Sequence, residues 1–281
     1  MLDENLKYQK ASSLEDVFKY RKQGFLPFAG GTDVMIKAKE GFLRADGLLY
    51  IGDLKELKGI YEKDGSIFIG AAEKVSDIAQ NPLVLKYFPA LSQAILTIGS
   101  PQIRNLATLG GNMSNCSPVA DSMPMLMSLN AKAHILSENG IRIVEVSDFP
   151  KGVCQTVLDT GEIIKEIQIP VLTEKNKQFY RKFAQRKEVA IQKCSLGAVV
   201  IFNNDNSVKE ARFTIGAVAV RALRCHKAEE FIKNKKLEKD VVEKTAELIS
   251  EEAKPITDLR SNVEYRKKMV GAAFIEGIFN E

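Results

Sequence analysis

Residues 98–122 read IGSPQIRNLATLGGNMSNCSPVADS. A double glycine, Gly110–Gly111, sits there with Thr108 and Leu109 before it and Asn112 after it. A second pair stands upstream in PFAGGTDV, residues 27–34, where Gly30–Gly31 follow a short apolar run and precede Thr32 and Asp33. Adjacent glycines let the backbone reach φ > 0 and approach a ligand with no Cβ in the way. Turns of that kind present successive N–H groups as an anion-binding concavity. The Thr32 and Thr108 hydroxyls and the Asn112 amide add donors, so the two loops together can hold a diphosphate without a positive side chain. Taken singly, each pair is equally open to being an ordinary tight turn.

Outward from these loops, strands and helices alternate. Residues 12–24 predict a helix capped by Ser12 or Ser13 and stopped by Gly24, and residues 32–41 a short helix beginning at Thr32 or Asp33. Hairpins are expected around Asp64-Gly65 and Asn139-Gly140. Between them, residues 74–100 are helical with breaks at Pro82 and Pro89, and Ser117 is placed to cap a helix with Pro118 at its first position. GEIIKEIQIP, residues 161–170, is a strand that closes this unit. Beyond Thr173 come long strands and then three helices, an order that predicts an α+β arrangement. The expected division is 1–172, with parts at about 1–57 and 58–172, and 173–281.

Composition narrows the chemistry. The chain has 281 residues, 45% hydrophobic and 27% charged, enough to bury a core without covalent staples. Its net charge of +4 is spread among interleaved lysines and acids, which argues against a nucleic-acid arm. No apolar run approaches the ~18 residues of a membrane span. The opening MLDENLKYQKASSLEDV lacks the features of a signal peptide, so a cytoplasmic protein is expected. Cys116, Cys154, Cys194 and Cys225 form no CxxC pair, so neither zinc nor an iron–sulfur cluster is signalled and free thiols are expected. His134 lies in an alternating strand and is taken as structural; His226 opens a surface helix. GxSxG, HExxH, the Walker loop and the GxGxxG dinucleotide fingerprint are all missing, so no catalytic residue or metal ligand is assigned.

The string AGGTD, followed about 65–70 residues later by residues 98–122, resembles the FAD-binding (medium) subunits of the xanthine dehydrogenase and carbon monoxide dehydrogenase family of molybdenum hydroxylases. The resemblance extends through GEIIKEIQIP and FYRKFAQRK and is weak in the C-terminal helices. It implies a vanillyl-alcohol-oxidase-type FAD domain of two α/β subdomains, then a smaller α+β domain of antiparallel sheet and helices. It implies non-covalent FAD. Pro27, Phe28, Ala29, Gly30, Gly31, Thr32, Asp33 and Val34 would form the first FAD loop, and Thr108, Leu109, Gly110, Gly111 and Asn112 the second. Ile98 matches an apolar position near the adenine end. Asp121 matches an acid that accepts bonds from cofactor hydroxyls, and Ile164 and Lys182 match further flavin-contacting positions. Lys182 would bring positive charge towards the flavin N1–C2 carbonyl. Phe28 and Cys116 are larger than the residues usual there, and the inserted cysteine-ligated cluster of the 4-hydroxybenzoyl-CoA reductases has no counterpart. The partners implied are an iron–sulfur subunit with 2Fe–2S clusters, a molybdenum-cofactor subunit and an acceptor such as NAD(P). The alternative is a free-standing FAD-dependent oxidase or reductase with its own substrate site.

Overall fold

The computed structural model describes residues 6–280. The reading of the N-terminus as free of a leader rests in part on residues 1–5, which lie outside the described residues. The first unit runs β1 (Lys7–Lys10), α1 (Leu14–Lys22), β2 (Phe25–Phe28), α2 (Val34–Lys39) and β3 (Gly47–Tyr50). Its three strands pair in parallel in the order β1-β3-β2. The Ser13 hydroxyl caps α1, accepting from the Asp16 N–H. Asp33 stands at the start of α2 but caps nothing: its carboxylate faces Lys37 one turn on, at 2.7 Å.

The second unit contains β4 (Ile60–Lys63), β5 (Ser66–Gly70), α3 (Val75–Gln80), α4 (Pro82–Tyr87), α5 (Pro89–Leu96), α6 (Pro101–Arg104), α7 (Leu109–Asn115) and α8 (Ser122–Ser128). It continues through β6 (Lys132–Ser137), β7 (Gly140–Glu145), the short pair β8 (Pro150–Gly152) and β9 (Gln155–Thr156), and β10 (Ile163–Pro170). The hairpins at Asp64-Gly65 and Asn139-Gly140 form as expected, and β10 returns between them to complete a five-stranded antiparallel sheet, β4-β5-β10-β6-β7. Pro82 and Pro89 each open a new helix at its first turn, where a missing N–H costs nothing. Ser117 does not cap a helix. Its hydroxyl accepts from the N–H of Val119 two residues on, closing a local turn, and α8 starts only at Ser122.

The third unit comprises β11 (Asn176–Ala184), β12 (Gln192–Phe202), β13 (Val208–Gly216), β14 (Leu223–Arg224), α9 (His226–Ile232), α10 (Lys239–Glu252) and α11 (Val263–Phe279). Its sheet is antiparallel throughout, in keeping with the α+β expectation. Both faces are covered. Leu196, Ala198 and Val200 pack with Phe213, Val270 and Phe274 beneath the C-terminal helices. Val199 and Ile201, alternate residues of the same strand, join Tyr180 in the core of the second unit with Ile95, Met125 and Ile167. The second and third units therefore share one apolar layer, built by α5 and α8.

Candidate cofactor site

The residues after β2, Ala29 to Asp33, form an open loop in which Gly31 takes φ +72°. That left-handed conformation is one that L side chains resist. A side chain on Gly30 would collide with the Leu106 carbonyl and Ala107, so the two double-glycine segments touch backbone to backbone. Among the described residues, the N–H groups of Ala29, Gly30, Gly31, Thr32 and Asp33 donate to no protein acceptor. These residues are half-buried, and backbone donors withdrawn from water rarely stay unpaired. Five in sequence along a cleft wall are what an anionic ligand would engage.

The second segment differs from the expectation. Gly110 and Gly111 open helix α7, and neither has positive φ. The Leu109 N–H donates to the Glu73 carbonyl (3.2 Å) and that of Gly110 to the Ala71 carbonyl (3.0 Å). The Gly111 N–H donates to the Thr108 hydroxyl (3.1 Å) and that of Asn112 to the Thr108 carbonyl (2.9 Å). These amides are engaged inside the protein, so the segment is a packed helix start and not a second anion concavity. Gly110 has a steric reason: a Cβ would lie 2.6 Å from that of Ala71. At Gly111 a Cβ would meet only the Thr108 hydroxyl, at 2.9 Å, and point into the cleft. The segment still offers the hydroxyl hydrogen of Thr108 and the Asn112 side-chain NH2, whose partner oxygen accepts from Ser122 at 2.6 Å.

The cleft has two adjoining lobes of about 270 and 280 Å³, together within the range of small-molecule sites. Pro27, Phe28, Ala29, Thr108 and Gly111 line both. Gly30, Gly31, Thr32, Asp33, Val34, Ile98 and Asn112 line the first, and Gly110 and Ile164 the second. Ile98 and Ile164, both expected at the cofactor, therefore stand in different lobes. The second lobe has Ile51, Leu57, Ala71, Leu158 and Ile163 on its wall, with Arg21 and Glu162 beside them.

Three expected residues line neither lobe. Leu109 is fully buried in the core. Asp121 and Lys182 form a buried ion pair at 2.9 Å, their side chains 11% and 8% exposed. Lys182 also donates to the Thr97 carbonyl at 3.0 Å, beside Ile98, and Tyr180 donates to the other Asp121 oxygen at 3.0 Å. Asp121 thus already accepts at both oxygens from the protein, where hydroxyls of a cofactor had been expected, and the charge of Lys182 is balanced rather than free. Burial pushes the Asp121 carboxyl up to about 6 despite the opposing pull of Lys182 and Tyr180. Burial and the neighbouring carboxylate raise the Tyr180 phenol well above its ordinary value.

Charged residues of the cleft went unrecognised in the sequence, Lys37 in the first lobe and Arg21 and Glu162 in the second. Lys37 lines the first lobe, with its ammonium 2.7 Å from Asp33 and 2.7 Å from the Asn115 side-chain oxygen. A positive side chain therefore does stand beside the loops. The i,i+4 spacing in DVMIK was its only local signal. His134 bonds Gln168 at 2.9 Å inside the second unit's sheet, as a structural histidine would. Among the described residues no cluster of three His, Cys, Asp or Glu could hold a metal, and no helix is long and apolar enough to cross a membrane.

Comparison with known proteins gives this architecture a family. Residues 4–172 match the model of the FAD binding domain in molybdopterin dehydrogenase, and residues 179–279 that of the CO dehydrogenase flavoprotein C-terminal domain. The glyceraldehyde dehydrogenase medium chain of Sulfolobus acidocaldarius is 31% identical over 94% of this chain and 93% of its own. A putative xanthine dehydrogenase FAD-binding subunit of Escherichia coli is 31% identical over 94% and 91%. In structure, a chain of the carbon monoxide dehydrogenase of Hydrogenophaga pseudoflava superposes with a TM-score of 0.93 at 26% identity, covering 98% of this chain and 96% of the other. The chain belongs to the family of FAD-binding domains of molybdopterin dehydrogenases.

Proposed function

We propose that this chain is the flavin subunit of a molybdenum hydroxylase, holding one non-covalent FAD in the two-lobed cleft. The observation that carries the reading is the run of five unclaimed amides from Ala29 to Asp33, a set of donors suited to a diphosphate. The hydroxyls of Thr32 and Thr108 and the Asn112 amide would complete the diphosphate contacts. The second lobe, with Ile164, would take the adenine. The first lobe would take the ring end, with Lys182 and Asp121 behind Thr97 and Ile98; Ile98 then belongs at that end, not at the adenine end first expected. When bound, FAD would take up electrons from iron–sulfur clusters of a partner subunit and release them to NAD(P) or another acceptor. A molybdenum-cofactor subunit would supply the substrate site. The family membership and the medium-chain relatives support that partnership, and the free thiols support a cytoplasmic setting.

The flavin identity is open to a direct check. Acid extraction of the purified protein should release FAD at about one per chain. FMN, which has no diphosphate to meet the Ala29–Asp33 amides, would be the wrong product, and its release alone would refute the site.

We also propose a division near residues 172/173 into an FAD-binding part and a C-terminal part. The segment from Thr173 to Lys175 is exposed and polar and precedes β11, which makes it the expected site of proteolytic nicking. Because Tyr180, Val199 and Ile201 lie in the core of the preceding unit, the two fragments should stay together until denatured. Cleavage inside 98–122 first, or fragments that part under native conditions, would contradict this.

A further inference from the structure

Cys116 and Cys154 are distant in sequence and adjacent in the fold. Cys116 ends α7, the helix that carries Gly110 and Gly111; Cys154 sits in the turn between β8 and β9. Both hold left-handed φ, 50° and 53°, which non-glycine residues adopt only when their surroundings impose it. The Cys154 N–H donates to the Cys116 carbonyl at 3.1 Å, and the Cys116 thiol donates to the carbonyl of Gln155 at 3.3 Å. With standard bond lengths, one backbone hydrogen bond of this length holds the two Cα atoms no more than about 6.5 Å apart. That is within the roughly 4.4–6.8 Å a disulfide spans. Cys116 is buried and Cys154 exposed.

The neighbours give the pair a bearing on the site. Asn115 lines the first lobe, Thr156 the second, and Ser114 both. The bridge would fasten α7 to the β8–β9 turn across the back of the cleft. We infer that Cys116 and Cys154 are a reversible disulfide site, formed by a peroxide-class oxidant, whose closure clamps the cofactor cleft. The clamping half rests on the FAD reading; the disulfide itself does not.

The chemistry balances with hydrogen peroxide. The exposed Cys154, as thiolate, attacks one peroxide oxygen; the O–O bond breaks and hydroxide leaves, taking back the proton the thiol had given to solvent to become water, and a sulfenic acid remains. The Cys116 sulfur then attacks the Cys154 sulfur, the S–O bond breaks, and a second water leaves with the Cys116 proton. Two thiols are oxidised and one peroxide is reduced to two waters. Burial pushes the Cys116 thiol up to about 11, which leaves the attack on peroxide to the exposed Cys154.

The test treats the full-length protein with hydrogen peroxide and maps its peptides without reduction. The expected result is loss of two of the four thiols, a Cys116–Cys154 linked peptide within one chain, and full recovery of thiols with a dithiol reductant. Cys154→Ser should give no linked peptide. Intact thiols, over-oxidised Cys154 without linkage, or a bond to any other cysteine would overturn the site. Flavin release on dilution is then compared between the reduced and oxidised forms. Slower release from the oxidised wild type, but not from Cys154→Ser, supports the clamp; equal rates overturn it. A cross-linked protein that carries no flavin would defeat the FAD reading and leave the disulfide standing.

Discussion

Gly111→Val should yield a folded protein that has lost its flavin. The Gly111 backbone is helical and its N–H already bonds Thr108, so valine meets no forbidden φ. Its side chain would instead point into the cleft, starting 2.9 Å from the Thr108 hydroxyl. It must displace that hydroxyl and occupy space shared by both lobes. Overpacking of this kind costs about 1–3 kcal/mol, or roughly 5- to 150-fold in cofactor affinity. Loss of the Thr108 hydrogen bond adds to it. Flavin kept per chain after dilution should fall by a factor in that range, with far-ultraviolet circular dichroism unchanged. Gly110→Ala should behave oppositely: its Cβ meets Ala71 in the packed interior, so it should lower stability. A Gly111→Val protein that purifies with its full flavin would remove α7 from the site.

The second large effect is on stability. Lys182→Met should lower the melting temperature by on the order of 10 °C near neutral pH, because breaking a buried ion pair leaves Asp121 with no compensating charge, at about 3–5 kcal/mol. The pH dependence follows from the direction of the Asp121 shift. Its folded pKa, about 6, lies above the ordinary 3.8. Its contribution is therefore fully present below pH ~4 and is lost as pH rises through about 6. Removing Lys182 takes away a charge that holds this pKa down, so the variant loses more and over a window that reaches higher. Its deficit should be small near pH 4 and largest near pH 8. The double variant Asp121→Asn, Lys182→Met, with no charge to strand, should recover more than half of the loss. A deficit that does not change with pH would mean the pair is not coupled as the geometry indicates.

Which features could be read in the sequence follows from how local their causes are. The hairpins at Asp64-Gly65 and Asn139-Gly140 and the helix breaks at Pro82 and Pro89 were legible because two or three residues decide them. Ser117 misled because a serine before proline fits a helix cap and a local turn equally well; the Val119 N–H decided between them. The two glycine pairs look alike in sequence and act differently in the fold. The carbonyls of Glu73 and Ala71 approach the second from another part of the chain and take up two of its amides, while no acceptor among the described residues takes up the amides of the first. Lys37 meets Asn115 only after α2 packs beside α7, a contact 78 positions apart. The Asp121–Lys182 pair likewise required the sheet of the third unit to close on α8. Each could be marked singly from the resemblance, but not that they satisfy one another.

On the proposed function, this chain houses a flavin and depends on other subunits for its substrate. Anaerobic titration of the isolated yellow protein, followed by flavin absorbance, tests it most directly. Dithionite should bleach the flavin. Purines, other N-heterocycles and aldehydes should leave it oxidised until iron–sulfur and molybdenum-cofactor subunits are added. Rapid bleaching by such a substrate with this chain alone would show a self-contained oxidoreductase and contradict the account.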